Sequence, residues 1–334
     1  MTTAAASRLE PFACPIASAL QRCLDFKRAA GYDDRTEAQA LRQLDRFLAR
    51  QLPPADPIIT WDMIRAYVAR HGRESETTRL HRLSLIRQVC RFLALEQPAT
   101  PIPGPRFLEI HRPVFVPRVF TREEGRRFLQ ACATFTSPHR SSLRTTILGT
   151  ALGLLYLTGL RAGEVWRLIN ADVDLAVAGL RVRDTKFGTS RLVPVAGEVA
   201  ARLQQYRNEI ASQLGPPNPD APFFPAPSGR AYSKSALRDA FHDVLAAAGI
   251  PRHSGGRSLR VHDTRHSFAV VRLLLWYQQG VNLGARLPAL ATYLGHVGLS
   301  SSQRYLQLTE EIAREVMRRH EARFGCLITE RRPS

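Results

Sequence analysis

Six prolines crowd into residues 98–118, PATPIPGPRFLEIHRPVFVPR, and no other feature of the sequence limits the fold so severely. Proline has no backbone N–H and its ring fixes φ, so neither a helix nor a central strand runs through such a stretch. The segment lacks a helical period and predicts a stiff connection between two separately folded bodies. A chain of 334 residues suits that division, since an ordinary domain takes roughly 100–200 residues. The expected organisation is a tail at 1–14, a helical domain at 15–97, the linker at 98–118 and a second domain at 119–334.

Charge narrows the partner. With 47 Lys+Arg against 29 Asp+Glu the chain carries +18 and a pI near 10.8. A polyanion is the natural partner, because each basic group that neutralises a phosphate releases a condensed counterion; an arginine-rich genome is the bland alternative. Only Lys27, Lys186 and Lys234 are lysines, so the excess is almost wholly arginine. The longest apolar run, 147–157, falls short of the ~18–20 residues of a membrane span and reads as a buried helix. The start, MTTAAASRLEPFACPIASAL, is interrupted by Arg8, Glu10 and Pro11 and does not read as a secretory leader, so the protein is expected in the cytoplasm, away from membranes. Cys14, Cys23, Cys90, Cys132 and Cys326 are odd in number, dispersed and without C-x-x-C spacing, which argues against a disulfide framework and a zinc site.

Residues 15–97 carry apolar positions at helical spacing in the runs 16–30, 36–51, 61–71 and 76–95, with Thr60 placed to cap the third. Four helices of this length make a small bundle. The last sets Arg79, Arg82, Arg87 and Arg91 among Leu80, Leu83, Leu85, Ile86 and Val89. Arg79, Arg82 and Arg87 are candidates for contacts to nucleic-acid phosphates, and a solvated face of an amphipathic helix accounts for them equally well.

In the second domain, Thr121 and Glu124 form a capping box before a helix at 125–135. An apolar helix at 143–157 follows, ending at Thr158-Gly159. Alternating segments at 180–184 and 191–195 predict a β-hairpin around K-F-G-T-S. Further helices are expected at 198–214, 234–248, 262–279, 288–294 and 309–320. The fold class is therefore mainly α with a small β-sheet or hairpin.

Three separated segments place unusual polar groups in apolar helical contexts: T-G-L-R-A-G-E-V from Thr158, H-D-T-R-H from His262, and L-G-H followed nine residues later by Tyr305. With Lys186 in the expected hairpin turn they supply two arginines with polar partners, a lysine, three histidines and a tyrosine. The set resembles the signature boxes of the tyrosine recombinase/integrase family. Arg161 and Glu164 match the first box, Lys186 the hairpin lysine, His262 and Arg265 the second box, and His296 and Tyr305 the third. Family order is kept, the likeness covers roughly residues 121–320, and the helical module is similar to the family's core-binding domain.

The resemblance implies a C-shaped two-domain DNA clamp and a site-specific recombinase. Negative charge grows on the non-bridging phosphate oxygens as a nucleophile attacks, and arginine forks placed beforehand suit those oxygens. Arg161 and Arg265 are expected to hold the scissile phosphate, with Glu164 supporting Arg161. His262, three residues from Arg265, shares its helix face and is expected to contact the phosphate or aid proton transfer; His266 matches no catalytic position and reads as structural. Lys186 is expected to protonate the leaving 5′ oxygen, which requires its pKa to be lowered from the ordinary ~10.4. Tyr305 is the expected nucleophile, although a tyrosine is only ~0.1% phenolate at pH 7, so surrounding positive charge must stabilise the phenolate. His296 is expected to donate to the phosphate or position the phenol.

The mechanism the resemblance implies is attack by Tyr305 on a DNA phosphate, giving a 3′-phosphotyrosyl link and a free 5′ hydroxyl. The bond energy is retained, so no cofactor and no metal are expected. Ser302 and Gln307 depart from the family's common threonine and histidine, which touches subfamily rather than reaction. The partners implied are double-stranded DNA with a specific site, a homo-tetramer during exchange or a dimer on one site, and a possible second recombinase or accessory protein. Residues 310–320 are a candidate helix for docking on a neighbouring subunit, with packing on its own domain as the alternative. With about 14 residues before the first helix, the arm-site domain of some phage integrases is expected to be missing. A nucleoid-associated mobile-element or Xer-like enzyme fits best; a type IB topoisomerase, a telomere resolvase and a non-catalytic DNA-binding accessory protein are the alternatives.

Overall fold

The computed structural model describes residues 12–30, 34–110, 117–136, 141–183, 190–254 and 257–295. The chain divides into two compact units, Met1–Val114 and Phe115–Ser334. Among the described residues no helix is long and apolar enough to cross a membrane.

The first unit is built from α1 (Ala17–Ala29), α2 (Asp34–Leu48), α3 (Trp61–Val68) and α4 (Glu76–Leu93). Thr60 and Ser75 cap α3 and α4 by accepting from the N–H groups of Met63 and Thr78, satisfying donors that a helix start leaves unpaired. Leu83, Ile86, Val89, Cys90 and Leu93 recur on one side of α4 and are buried with Leu20 and Leu24 of α1, Leu41, Leu44 and Leu48 of α2, and Ile64 of α3. Each such side chain contributes roughly 1.5–3 kcal/mol by leaving water. Burial pushes the Cys14 and Cys90 thiols up to about 12, at Cys14 with help from an Asp45 hydrogen bond, so both stay protonated and unreactive.

The first half of the proline-rich stretch behaves differently from a free connection. The carbonyls of Pro103 and Gly104 accept from Arg87 Nε and Nη2 at 2.7 and 2.6 Å, Phe107 stacks on Trp61 with ring centroids 5.8 Å apart, and Thr100 is buried. A segment poor in N–H donors cannot pair with itself, so its carbonyls take a donor from α4.

The second unit contains α5 (Arg122–Ala133), α6 (Ser142–Thr158), α7 (Ala162–Arg167), β1 (Val173–Asp174), β2 (Gly179–Val182), β3 (Arg191–Pro194), α8 (Gly197–Leu214), α9 (Lys234–Ala247), β4 (His253–Ser254), β5 (Arg257–Ser258), α10 (Asp263–Gln278) and α11 (Leu283–Leu294). The Thr121–Glu124 capping box is formed, with bonds of 2.9 and 3.1 Å. Apolar almost all round, α6 is the central helix, packed against α5, α7, α8, α9 and α10. The predicted hairpin is present and extended to a three-stranded antiparallel sheet in the order β1–β2–β3, with Val182 opposite Arg191.

α6 stops at Gly159, which is left-handed at φ 64°. A Cβ there would lie 2.6 Å from the Phe268 ring of α10, so only glycine satisfies both the backbone and the close approach of the two helices. This corner delivers the next residues to the site.

Candidate active site

Arg161 is the first residue beyond the α6–α7 corner and stands at the N-cap of α7. Glu164, one turn on, accepts the Arg161 backbone N–H at 2.8 Å and its guanidinium Nη1 at 2.9 Å. The spacing read from sequence is therefore a real pairing, and the carboxylate also closes the helix start. Arg161 Nη2 reaches the carbonyl of Gly295 at 2.8 Å.

Glu164 is buried and serves a second cation that the motifs do not point to. Arg191, the first residue of β3, sets its fork on the same carboxylate, Nη1 to Oε1 at 3.1 Å and Nη2 to Oε2 at 3.0 Å. Burial pushes the Glu164 pKa up, but the Arg191 hydrogen bonds, the Arg161 backbone bond and both positive charges outweigh it and hold the pKa below its ordinary value. Arg191 Nε also donates to Tyr293 O at 3.0 Å and Nη2 to Leu294 O at 3.3 Å.

α10 supplies the third guanidinium. Arg265 is almost wholly buried and donates to Gly159 O at 2.8 Å and Leu294 O at 2.6 Å. His262 stands at the start of the helix with an exposed edge. Protein packed on its other side, and next the Arg265 charge, push its pKa below the ordinary histidine value. It is thus neutral at neutral pH and able to accept a proton. His266 lies edge-on to it at 4.8 Å and is pushed down to about 4, first by burial and then by His262; the ring-on-ring packing agrees with its structural reading. Asp263, fully buried, accepts the Arg260 N–H at 2.8 Å, and Ser267 Oγ, which donates to Asp263 O, accepts the Phe120 N–H at 2.9 Å. These bonds fix the angle at which α10 presents His262 and Arg265.

Arg161, Arg191 and Arg265 therefore meet at one place, the carbonyl end of α11. A helix C-terminus carries partial negative charge and unpaired carbonyls, so it draws cations. Gly295 ends the helix at φ 67°, and a Cβ on it would lie 2.7 Å from Arg191 Nη1. The glycine of L-G-H thus leaves room for a guanidinium as well as turning the chain. Such a cluster can hold an oxyanion between fixed forks. Among the described residues no group of three or more His, Cys, Asp and Glu is gathered as for a metal ion.

Lys186, His296, Tyr305, Ser302, Gln307 and the helix expected at 310–320 lie outside the described residues. Arg79, Arg82 and Arg87 belong to the chain's first unit, on α4. Arg79 donates to Val68 O at 3.1 Å and Glu76 at 2.8 Å, and Arg82 to Ala69 O at 2.9 Å and Glu74 at 2.5 Å, while Arg87 holds the proline segment. Their first use is internal. Arg191 and Asp263 are the residues the motifs leave out. For Arg191 the only local hint is a charge at the mouth of the hairpin; Asp263 sits inside H-D-T-R-H but matches no box.

A family model described as the phage integrase family matches residues 118–311, more than half the chain. A putative integrase/recombinase of Sinorhizobium fredii, y4rE, is 35% identical over 295 residues, covering 88% of this chain and 92% of that protein. The tyrosine recombinase XerC of Halalkalibacterium halodurans is 28% identical over 293 residues, covering 85% and 89%. Among solved structures, the recombinase XerH in its post-cleavage complex with a palindromic difH substrate aligns with a TM-score of 0.62 at 17% identity, covering 95% of this chain and 98% of that one. The Tn1549 transposon integrase in complex with transposon right end DNA gives 0.61 at 17% identity, covering 90% and 98%. At such identities the structural likeness speaks for the fold, while the family model and the long alignment to y4rE speak for descent. The chain belongs to the phage integrase family, the tyrosine recombinases.

Proposed function

We propose a division of labour for this tyrosine recombinase, an enzyme that cuts and rejoins DNA strands at specific sites. The observation that carries it is the meeting of three guanidiniums at the end of α11, directly ahead of the segment bearing His296 and Tyr305. Arg161 and Arg265 grip the scissile phosphate, and Glu164 keeps Arg161 in place. Tyr305 attacks phosphorus as the P–O5′ bond breaks, Lys186 gives the 5′ oxygen its proton, and neutral His262 takes up or relays the proton of the phenol. His296 donates to a phosphate oxygen. The 5′ hydroxyl of a second duplex reverses the step.

Double-stranded DNA is the partner, and four subunits exchange the strands, as in the lambda integrase tetramer bound to a Holliday junction; a dimer holds one site. The helical domain at 15–97 closes on the duplex across the 98–118 connection, and Arg79, Arg82 and Arg87 add phosphate contacts with the donors their internal bonds leave over. The enzyme works in the cytoplasm on nucleoid DNA, moving a genetic element. A second recombinase or accessory protein selects the outcome.

The test is covalent capture of DNA by the full-length protein, followed by sequencing of the DNA joined to Tyr305. Tyr305→Phe is expected to abolish capture while retaining DNA affinity, and Arg161→Ala to slow it by about 10²-fold or more. Capture that survives Tyr305→Phe removes the nucleophile, and near-normal cleavage by Arg161→Ala removes the clamp. Relaxation of plasmids of random sequence favours a topoisomerase instead.

A further inference from the structure

Arg191 joins three segments that the mechanism needs in register. Its backbone opens β3 and pairs with Val182, so it closes the mouth of the connection that contains Lys186. Its side chain lies two-pronged on Glu164 of α7 and also donates to Tyr293 O and Leu294 O at the end of α11. Only 12% of that side chain is exposed, and its donors are turned toward protein acceptors. A buried ion pair contributes little net stability, since desolvation offsets much of the attraction; what a forked pair does supply is a fixed direction. Gly295, whose missing Cβ leaves the guanidinium its space, shows that the contact is built from both sides.

We infer that Arg191 is a positioning residue that anchors the Lys186-bearing hairpin to the arginine clamp and to the root of the nucleophile segment. Arg191 stands five positions after Lys186, a reach of at most about 18 Å for extended chain. Freeing the first residue of β3 therefore frees the placement of the lysine. The inference rests on the proposed role of Lys186. In that step the Tyr305 oxygen–phosphorus bond forms, the P–O5′ bond breaks, its electron pair stays on O5′, and the Lys186 ammonium supplies the proton. A sulfur at the bridging 5′ position leaves as a thiolate, a far weaker base than an alkoxide, and needs no proton.

The experiment uses full-length protein and a duplex bearing the cleavage sequence mapped through the Tyr305 adduct, with oxygen or sulfur at the bridging 5′ position. Arg191→Gln is expected to cut the oxygen substrate about a hundredfold more slowly, the lower end of a general acid's contribution. On the sulfur substrate it is expected within about an order of magnitude of the unsubstituted enzyme, as is Lys186→Ala, whereas Arg161→Ala stays slow on both. Arg191→Lys keeps a charge without the fork and is expected to fall between. The sulfur-to-oxygen rate ratio within one variant does not depend on how much of it is folded, and if Arg191→Gln does not fold the lysine variant carries the test. Equal impairment of the Arg191 variant on both substrates, with Lys186→Ala rescued by sulfur, overturns the inference and leaves the lysine's role intact. Failure of sulfur to rescue Lys186→Ala overturns that role and the inference with it.

Discussion

Replacing Glu164 with glutamine tests whether the carboxylate organises the clamp. The substitution keeps size and one acceptor oxygen but removes the charge, and it turns an N–H₂ group toward guanidiniums that have no acceptor to offer. Four hydrogen bonds now end on Glu164, from Arg161 N, Arg161 Nη1, Arg191 Nη1 and Arg191 Nη2. Breaking a buried ion pair from one side costs about 3–5 kcal/mol. Both arginines keep some contact with water, 31% exposed for Arg161 and 12% for Arg191, which places the expected loss at the lower end, about 3 kcal/mol. Stability of a domain is about 5–15 kcal/mol, so the variant folds. For a body of this size a loss of about 3 kcal/mol lowers Tm by roughly 6–12 °C, read by calorimetry at pH 7.

Acid provides the second readout. The folded-state pKa of Glu164 lies below its unfolded value. Its contribution is therefore complete above the ordinary glutamate pKa of about 4.3 and disappears as pH falls through the lower folded value. The Tm gap between wild type and Glu164→Gln is expected to be full at pH 7 and to narrow below about pH 4. A gap under about 2 °C at pH 7, or one that ignores pH, refutes the role given to this carboxylate.

Three further outcomes are expected. Gly159→Ala meets both a left-handed backbone and the Phe268 ring at 2.6 Å, whereas Gly229→Ala, at φ 73°, has nothing within 4 Å; denaturant melts should show the first variant less stable by an additional 1–3 kcal/mol or so, and equal losses argue against the packing account. Because burial pushes His266 down to about 4, the folded protein loses stability as pH falls from the unfolded value of ~6.5 toward 4; His266→Gln should flatten that slope in acid titrations followed by fluorescence, and an unchanged slope rules the histidine out. DNA affinity of the whole chain should fall linearly on a plot of log Kd against log salt, and a flat plot contradicts phosphate neutralisation as the purpose of the charge.

Local chemistry was legible in the sequence where partners are near neighbours along the chain. The Thr121–Glu124 and Arg161–Glu164 pairs are three residues apart, and their bonds form as the spacing predicts. Among the described residues periodicity located the longer helices, though not their limits, and gave no sign of the six-residue α7. α3 ends at Val68 rather than 71, because Ala69 leaves the helical region and Gly72 turns at φ 56°. α11 starts at Leu283 rather than 288, with Pro288 inside it, because Asn282 caps the Ala285 N–H and begins the helix before the proline. Arg191 was beyond reach for a different reason. Its partners lie 27 and 102 residues away, and such a bond exists only once the core has brought α7, β3 and α11 together. Arg79, Arg82 and Arg87 show the converse: a basic helix looks like a binding face in sequence, yet its flanking guanidiniums serve carbonyls of their own unit.

Seen as a count of charge, the carboxylate of Glu164 does more than hold its neighbours. Among the described residues that meet at the end of α11, Arg161, Arg191 and Arg265 bring three positive charges and Glu164 one negative, a balance of two positive for these four groups. A phosphodiester carries one negative charge at rest and acquires a second as a phenolate adds to phosphorus. If the cluster grips the scissile phosphate as proposed, the buried acid trims these guanidiniums so that their attraction for the phosphate rises along the reaction path, where it would accelerate the chemistry instead of merely tightening the grip on DNA.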